Sequence, residues 1–220
     1  MTPRKSAPSR ATPRRVRDAT RYIAEADPDF RHIINVSEPC NIARRSNDDS
    51  SPYSALVTSV VSQQLSTSIA RLMTQRVREL AGGDINAESI AELSVDDLRS
   101  AGLSGAKART IMGLTHATID GSIDLDELSS YADEEHITTS LTKLWGIGPW
   151  TTHMFLIFHL GRLDVWPVGD LGVRKGWQVI HGGDGDPGPE ALVDAATHLQ
   201  PYRSVAAWYC WRAWESVTSR

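Results

Sequence analysis

The spacing of apolar residues along the chain is helical almost throughout. Beyond Pro52, apolar side chains recur every three or four residues, at Leu56, Val57, Val60 and Val61. The polar run 62–66 interrupts this spacing, which predicts two helices between residues 53 and 80, the second capped by Ser66. No stretch sustains the alternation of a half-buried strand, so we expect an all-α protein of about ten helices.

Capping residues predict where other helices begin. Ser94 and Asp97 form a capping-box pattern, and Ser104 precedes a further apolar run. Residues 30–42 are apolar in places but show no clear period. The remaining predicted helices are Val16–Ala26, Asp133–Lys143, Leu171–Ile180, Pro189–His198 and Pro201–Thr218.

The segment from Leu144 to Gly172, LWGIGPWTTHMFLIFHLGRLDVWPVGDLG, contains the strongest functional signals. Gly146-Ile147-Gly148 allows positive φ and close backbone approach to another molecule, and such a turn before a helix attracts phosphate. Asp170 stands at an N-cap position, where amides and the helix dipole favour an ionised carboxylate. Each feature alone is more often a plain turn or a plain cap. Together they indicate chemistry on a nucleotide.

Charge is distributed unevenly. The net charge is −4, which argues mildly against general nucleic-acid binding. Residues 1–21, however, hold seven Lys or Arg and one Asp, for +6, so the rest of the chain carries −10. Residues 1–15 therefore resemble a disordered basic arm, with or without a role in DNA binding. Residues 141–178 are locally positive, which is compatible with a small DNA footprint.

Composition favours a reduced, cytoplasmic protein. No apolar run reaches about 18 residues and no signal-peptide core is present, so we expect neither membrane span nor secretion. Cys40 and Cys210 are expected to be reduced thiols. Two cysteines cannot supply the four ligands of an iron–sulfur cluster.

The motif LWGIGPWT, followed about twenty residues later by DVWPVGD, resembles the signature of the helix-hairpin-helix DNA glycosylases, and within them the 3-methyladenine DNA glycosylase II branch. The resemblance covers roughly residues 50–217. It implies two helical lobes with the active site in the cleft between them: residues 52–163 with the hairpin, and residues 16–51 with 164–220. It also implies a monomer acting on damaged double-stranded DNA, in the cytoplasm or, in a bacterium or archaeon, at the nucleoid.

The resemblance assigns catalysis to Asp170, whose carboxylate would stabilise positive charge on the sugar and orient water. Asp164 is the second candidate, which we interpret as structural. Lyase members carry a lysine where this chain has Trp150, so we expect a monofunctional enzyme. Trp150 and Trp211 resemble pocket aromatics that stack on a cationic alkylated purine, and Met154 takes a further pocket position. We assign Trp145, Trp166, Trp177, Trp208 and Trp214 to helix packing.

Several residues are predicted to contact DNA. By the same resemblance, the amides of Gly146, Ile147 and Gly148 would hold a phosphate, with a monovalent cation bridging hairpin carbonyls and DNA and no other cofactor or metal. Gln64, or else Leu65, would fill the gap left by a flipped base. Arg174 is a candidate phosphate contact, and a solvated loop charge is the equal alternative.

The resulting hypothesis is a base-excision repair enzyme that flips and hydrolytically releases alkylated purines. One alternative is a glycosylase of the same fold for hypoxanthine or uracil. A second is a non-catalytic module that uses the hairpin only to bind phosphate, which would not require Asp170, Trp150 and Trp211 together.

Overall fold

The structure is a computed structural model that describes residues 10–46, 50–131, 133–183 and 185–218. These residues form helices and connecting loops without a β-strand, which confirms the all-α prediction. In chain order the α-helices are α1 (Pro13–Ala26), α2 (Arg31–Val36), α3 (Ile42–Ser46), α4 (Pro52–Ser62), α5 (Thr67–Leu80), α6 (Ala87–Ala91), α7 (Val95–Ser100), α8 (Gly105–Ile119), α9 (Leu125–Ser129), α10 (Glu134–Leu141), α11 (Pro149–Phe158), α12 (Leu171–His181), α13 (Gly188–Ala195) and α14 (Arg203–Thr218). Short 3₁₀ helices occupy Pro28–Phe30 and Thr197–Leu199.

Side-chain caps explain most helix starts. Ser51, Ser66, Ser94 and Ser104 each accept a hydrogen bond from a backbone N–H in the first turn of α4, α5, α7 and α8. These bonds satisfy amides that have no partner inside the helix. The predicted capping box at Ser94 and the predicted break between α4 and α5 are confirmed.

Some boundaries differ from the predictions. Helix α1 begins at Pro13 because the Thr12 side chain caps it, so residues 13–15 are helical rather than part of an arm. Residues 1–9 of that predicted arm lie outside the described residues. The short helix α2 lies within residues 30–42, where no period was visible, and the short helix α3 begins at the end of that stretch, at Ile42.

The chain divides into two compact units. The described residues of the first unit are 50–131 and 133–155, and those of the second are 10–46, 156–183 and 185–218. The predicted boundary followed Leu163. In the structure the boundary falls inside α11, after Phe155, and residues 156–158 of this helix belong to the second unit.

The core of the first unit is built on α8, which packs against α4, α6 and α7. Leu56, Val57, Ile111 and Leu114 are fully buried. The Tyr53 hydroxyl lies 2.7 Å from the Thr115 hydroxyl in the same core. The helical spacing of these apolar residues therefore marks the buried faces, as predicted.

In the second unit, α12 and α14 pack closely along their length. Gly176 makes this approach feasible, because a Cβ there would overlap the backbone of Cys210. Both cysteines are free, and burial raises the pKa of the Cys40 thiol to about 12. Among the described residues, no helix is both long and apolar enough to cross a membrane.

Candidate active site

Asp170 caps α12, as predicted. A turn closed by a hydrogen bond from Asp170 N to Pro167 O brings the residue to the start of the helix in an extended conformation. Its Oδ1 accepts a hydrogen bond from Val173 N at 2.8 Å, and the side chain is half-buried. The carboxylate therefore lies at the N-terminal end of α12, which is the positive end of the helix dipole.

A second donor holds the same oxygen. The indole Nε1 of Trp211, on α14, lies 2.9 Å from Asp170 Oδ1. Gly172 leaves the space for this contact, since a Cβ there would lie 2.8 Å from Trp211 Cδ1 and 3.1 Å from Asp170 Oδ1. Trp211 was predicted to stack on a base, and the structure assigns its N–H edge to the carboxylate. A pairing across forty-one residues leaves no local signal in the sequence.

Phe158 and Arg45 extend this arrangement and were not predicted. The rings of Phe158 and Trp211 lie 5.6 Å apart at 31°, and the Arg45 guanidinium lies 3.8 Å from the centre of the Phe158 ring. Such contacts restrict the tilt of both rings. Trp211 is thus restrained both by its hydrogen bond and by its packing.

Arg174, a candidate phosphate contact, has its partners within the protein. Its side chain is only 17% exposed, and its Nε donates to the Asp186 carboxylate at 2.9 and 3.1 Å. Its terminal nitrogen donates to the carbonyls of Val168 and Gly169. Arg174 therefore stabilises the loop that leads into Asp170.

Asp164 is structural, as predicted, but its partner is a side chain as well as an amide. Its carboxylate accepts hydrogen bonds from Nε, the terminal nitrogen and the backbone N–H of Arg203, at 2.8, 3.0 and 3.3 Å. Leu163 O accepts from Ser204 N. Residues 163 and 164 thus cap the start of α14.

The predicted helix-hairpin-helix is formed by α10, residues 142–148 and α11, of which the part up to Phe155 belongs to the first unit. Gly146 has φ +81°, and a Cβ at this position would overlap the Thr110 side chain. Ile147 differs from its predicted role, because its side chain is 3% exposed and its N–H is bonded to Leu144 O. Ile147 therefore anchors the turn, and the amides left as candidate phosphate donors are those of Gly146 and Gly148.

The loop between α4 and α5 is tied to this hairpin. The Gln63 amide donates to Gly146 O at 3.1 Å and to the Thr151 hydroxyl at 2.9 Å. The ammonium of Lys107 donates to Val61 O and Gln63 O, and partial burial lowers its pKa. Gln63 was predicted only as part of the loop that enters the minor groove, and Lys107 was not predicted to have a role. They act through long-range contacts with backbone carbonyls.

The predicted wedge residue, Gln64, is exposed and adopts φ +56°, which a residue other than glycine rarely does. Leu65 beside it is half-buried. An unfavourable backbone conformation at one loop residue is more common at functional positions than elsewhere. The geometry therefore favours Gln64 over Leu65 as the residue presented to a partner.

The tryptophans separate into several environments. Trp150 is half-buried on α11, with Met154 buried one turn later. Trp166, Trp177 and Trp208 are buried, which confirms their assignment to packing, and Trp214 is half-buried. Trp145 is 62% exposed, so its assignment to packing is wrong.

Residues 57–200 match the HhH-GPD superfamily base excision DNA repair protein family. The match covers more than half of the chain, and the protein belongs to this superfamily.

Its relatives place it more narrowly. It is 32% identical to DNA-3-methyladenine glycosylase 1 of Schizosaccharomyces pombe over 76% of this chain and 75% of that protein. It is also 32% identical to the putative DNA-3-methyladenine glycosylase YfjP of Bacillus subtilis, over 76% of this chain and 60% of the relative. Among solved structures, the S. pombe 3-methyladenine DNA glycosylase in complex with abasic DNA superposes with a TM-score of 0.80 at 29% identity, covering 89% of this chain and 95% of that one.

Proposed function

We propose that this protein is a monofunctional DNA glycosylase that flips alkylated purines of the 3-methyladenine type out of duplex DNA and hydrolyses their N-glycosidic bond. The observation that carries the proposal is the Asp170 carboxylate, held by the Val173 amide and the Trp211 indole at the start of α12. The names of its relatives and the superposition on a DNA complex support the same substrate class.

The role proposed for Asp170 depends on the charge that develops on the sugar during the reaction. Cleavage of the glycosidic bond develops positive charge on the sugar, and a fixed carboxylate stabilises it. A unit charge about 4 Å away in surroundings of effective dielectric about 20 contributes about 4 kcal/mol, or roughly 10³ in rate. An alkylated purine is already a cationic leaving group, so the reaction does not depend on a strong general acid.

Trp150 supports the assignment to hydrolysis rather than lyase chemistry. An indole cannot form the covalent imine that an amine would supply at this position. It can instead stack on a cationic base, because its ring face is electron-rich. We propose this role for Trp150, with Met154 beside it.

The proposal extends to partners and cofactors. The substrate would be double-stranded DNA with a damaged base. The enzyme would act as a monomer, in the cytoplasm or, in a bacterium or archaeon, at the nucleoid. Its two cysteines are too few to ligate an iron–sulfur cluster, so the proposed reaction uses none, and we propose that it uses no catalytic metal. A monovalent cation between hairpin carbonyls and a DNA phosphate stays a prediction.

The test is the release of free 3-methyladenine from methylated duplex DNA by the wild type and by Asp170→Asn. Asparagine keeps an oxygen for the Val173 and Trp211 donors but removes the charge. We expect release to fall by about 10³ while DNA binding survives. Asp164→Asn is the matched control, which should lower stability through the lost Arg203 pair and still allow release.

The outcomes separate the alternatives. If the wild type releases no 3-methyladenine but releases hypoxanthine or uracil from duplexes that contain those bases, the enzyme acts on another lesion. Binding that is indifferent to the lesion, without release of any base, would leave only a DNA-binding module. Full activity of Asp170→Asn would refute the mechanism while leaving the substrate assignment intact.

A further inference from the structure

Trp145 has no evident structural reason to be a tryptophan. Its side chain is 62% exposed, although it directly precedes Gly146 of the hairpin. An exposed indole leaves a large apolar surface in water, which gives no folding stability. Tryptophan is enriched where a binding partner covers it.

Arg109 lies beside this ring. Its guanidinium carbon is 5.5 Å from the centre of the Trp145 ring, and its side chain is exposed near the start of α8. A guanidinium held over an aromatic face loses less conformational entropy when it binds an anion, because its position is already restricted. The pair therefore presents a positioned cation and an apolar ring side by side.

Contacts within the first unit connect the pair of Trp145 and Arg109 to the hairpin turn. Thr110, next to Arg109, fills the space against Gly146, where a Cβ would overlap its side chain. Gln63 donates to Gly146 O and so fixes the loop that carries the exposed Gln64. The loop that carries Gln64 and the pair of Trp145 and Arg109 are therefore each linked to the hairpin turn by a contact in the first unit.

The charge around the hairpin indicates what kind of partner binds there. Residues 142–151, TKLWGIGPWT, contain Lys143 and no acidic residue. A positive, partly apolar surface around backbone amides matches the backbone of duplex DNA, in which phosphates alternate with apolar deoxyribose faces.

We propose that Arg109 binds a phosphate of the DNA duplex next to the one held by the hairpin amides, and that Trp145 packs on the deoxyribose between them. This inference rests on the proposed function, because it assumes that the hairpin binds DNA. It adds a sequence-independent contact that positions the duplex without reading its bases.

The test is the affinity for an undamaged duplex at several salt concentrations, measured by fluorescence anisotropy. Each phosphate contact contributes about 0.9 to the slope of log K against log salt. Arg109→Ala should therefore reduce that slope by about 0.9, so that the wild type loses about 3.5-fold more affinity than the variant between 50 and 200 mM salt. Trp145→Ala should weaken binding by about fivefold at every salt concentration and leave the slope unchanged.

Arg78→Ala is the matched control, because Arg78 is exposed at the end of α5 and its loss changes the net charge equally. It should leave the slope and affinity unchanged. The proposal is overturned if Arg109→Ala binds like the wild type, or if all three variants weaken binding alike. The test remains separate from that of the proposed function: a wild type that releases base while Arg109→Ala binds normally refutes this inference alone.

Discussion

The hydrogen bond between Trp211 and Asp170 gives the sharpest prediction of the structure. Trp211→Phe keeps an aromatic ring against Phe158 but removes the Nε1–H that lies 2.9 Å from Asp170 Oδ1. Hydrogen bonds to charged groups contribute about 1.5–3 kcal/mol. If the bond serves mainly to hold the carboxylate for the transition state, we expect the rate of base release to fall by about 10- to 100-fold.

The assay is single-turnover release of 3-methyladenine, with DNA binding measured separately. A residue that only positions Asp170 should affect the rate of release and leave DNA affinity nearly unchanged. In the Asp170→Asn background, Trp211→Phe should add little, because the group that it positions has lost its charge.

Trp208→Phe is the matched control on the same helix. The Trp208 indole N–H is buried and contacts no acceptor among the described residues, so its removal costs no hydrogen bond. We expect release by this variant at the wild-type rate. The reasoning is refuted if Trp211→Phe releases base as fast as Trp208→Phe, or if its effect multiplies fully with that of Asp170→Asn.

Two further predictions concern stability. Burial alone would raise the pKa of Asp27, but hydrogen bonds from His181 and His198 outweigh the effect of burial and lower this pKa below its ordinary value. Because the pKa is lower in the folded state, the stability from these bonds is present above about pH 4 and is lost as the pH falls through the folded-state pKa. Urea unfolding from pH 6 to pH 3 should show this loss, and Asp27→Asn should flatten that acid dependence; an unchanged slope in the variant would contradict it. Gly146→Ala places a Cβ against Thr110 at φ +81°, which we expect to cost about 2 kcal/mol or more and to lower the melting temperature by about 4–8 °C. Gly148→Ala, with no atom within 4 Å of its Cβ, should change the melting temperature far less, and equal effects of the two substitutions would exclude steric overlap as the cause.

The sequence by itself determined the parts of the protein that depend on neighbouring residues. Helix starts at Ser66, Ser94, Ser104 and Asp170 were predictable because an N-cap side chain bonds an amide two or three residues along. The glycine turn at 146–148 was predictable for the same reason, since positive φ is a property of one residue. The family was predicted from the resemblance of the motifs LWGIGPWT and DVWPVGD to its signature.

Only the tertiary structure decided which distant groups meet. From the sequence Arg174 was a candidate phosphate contact, but in the structure it donates to Asp186, which lies in the loop after α12, and to the carbonyls of Val168 and Gly169. Trp145 and Trp208 were both assigned to helix packing from the sequence, yet in the structure Trp145 is exposed and Trp208 is buried. A side chain's partner depends on packing between helices far apart in the chain, and local periodicity carries no information about that packing. The same reason explains why the Trp211 indole could be predicted near the site but not as a donor to Asp170.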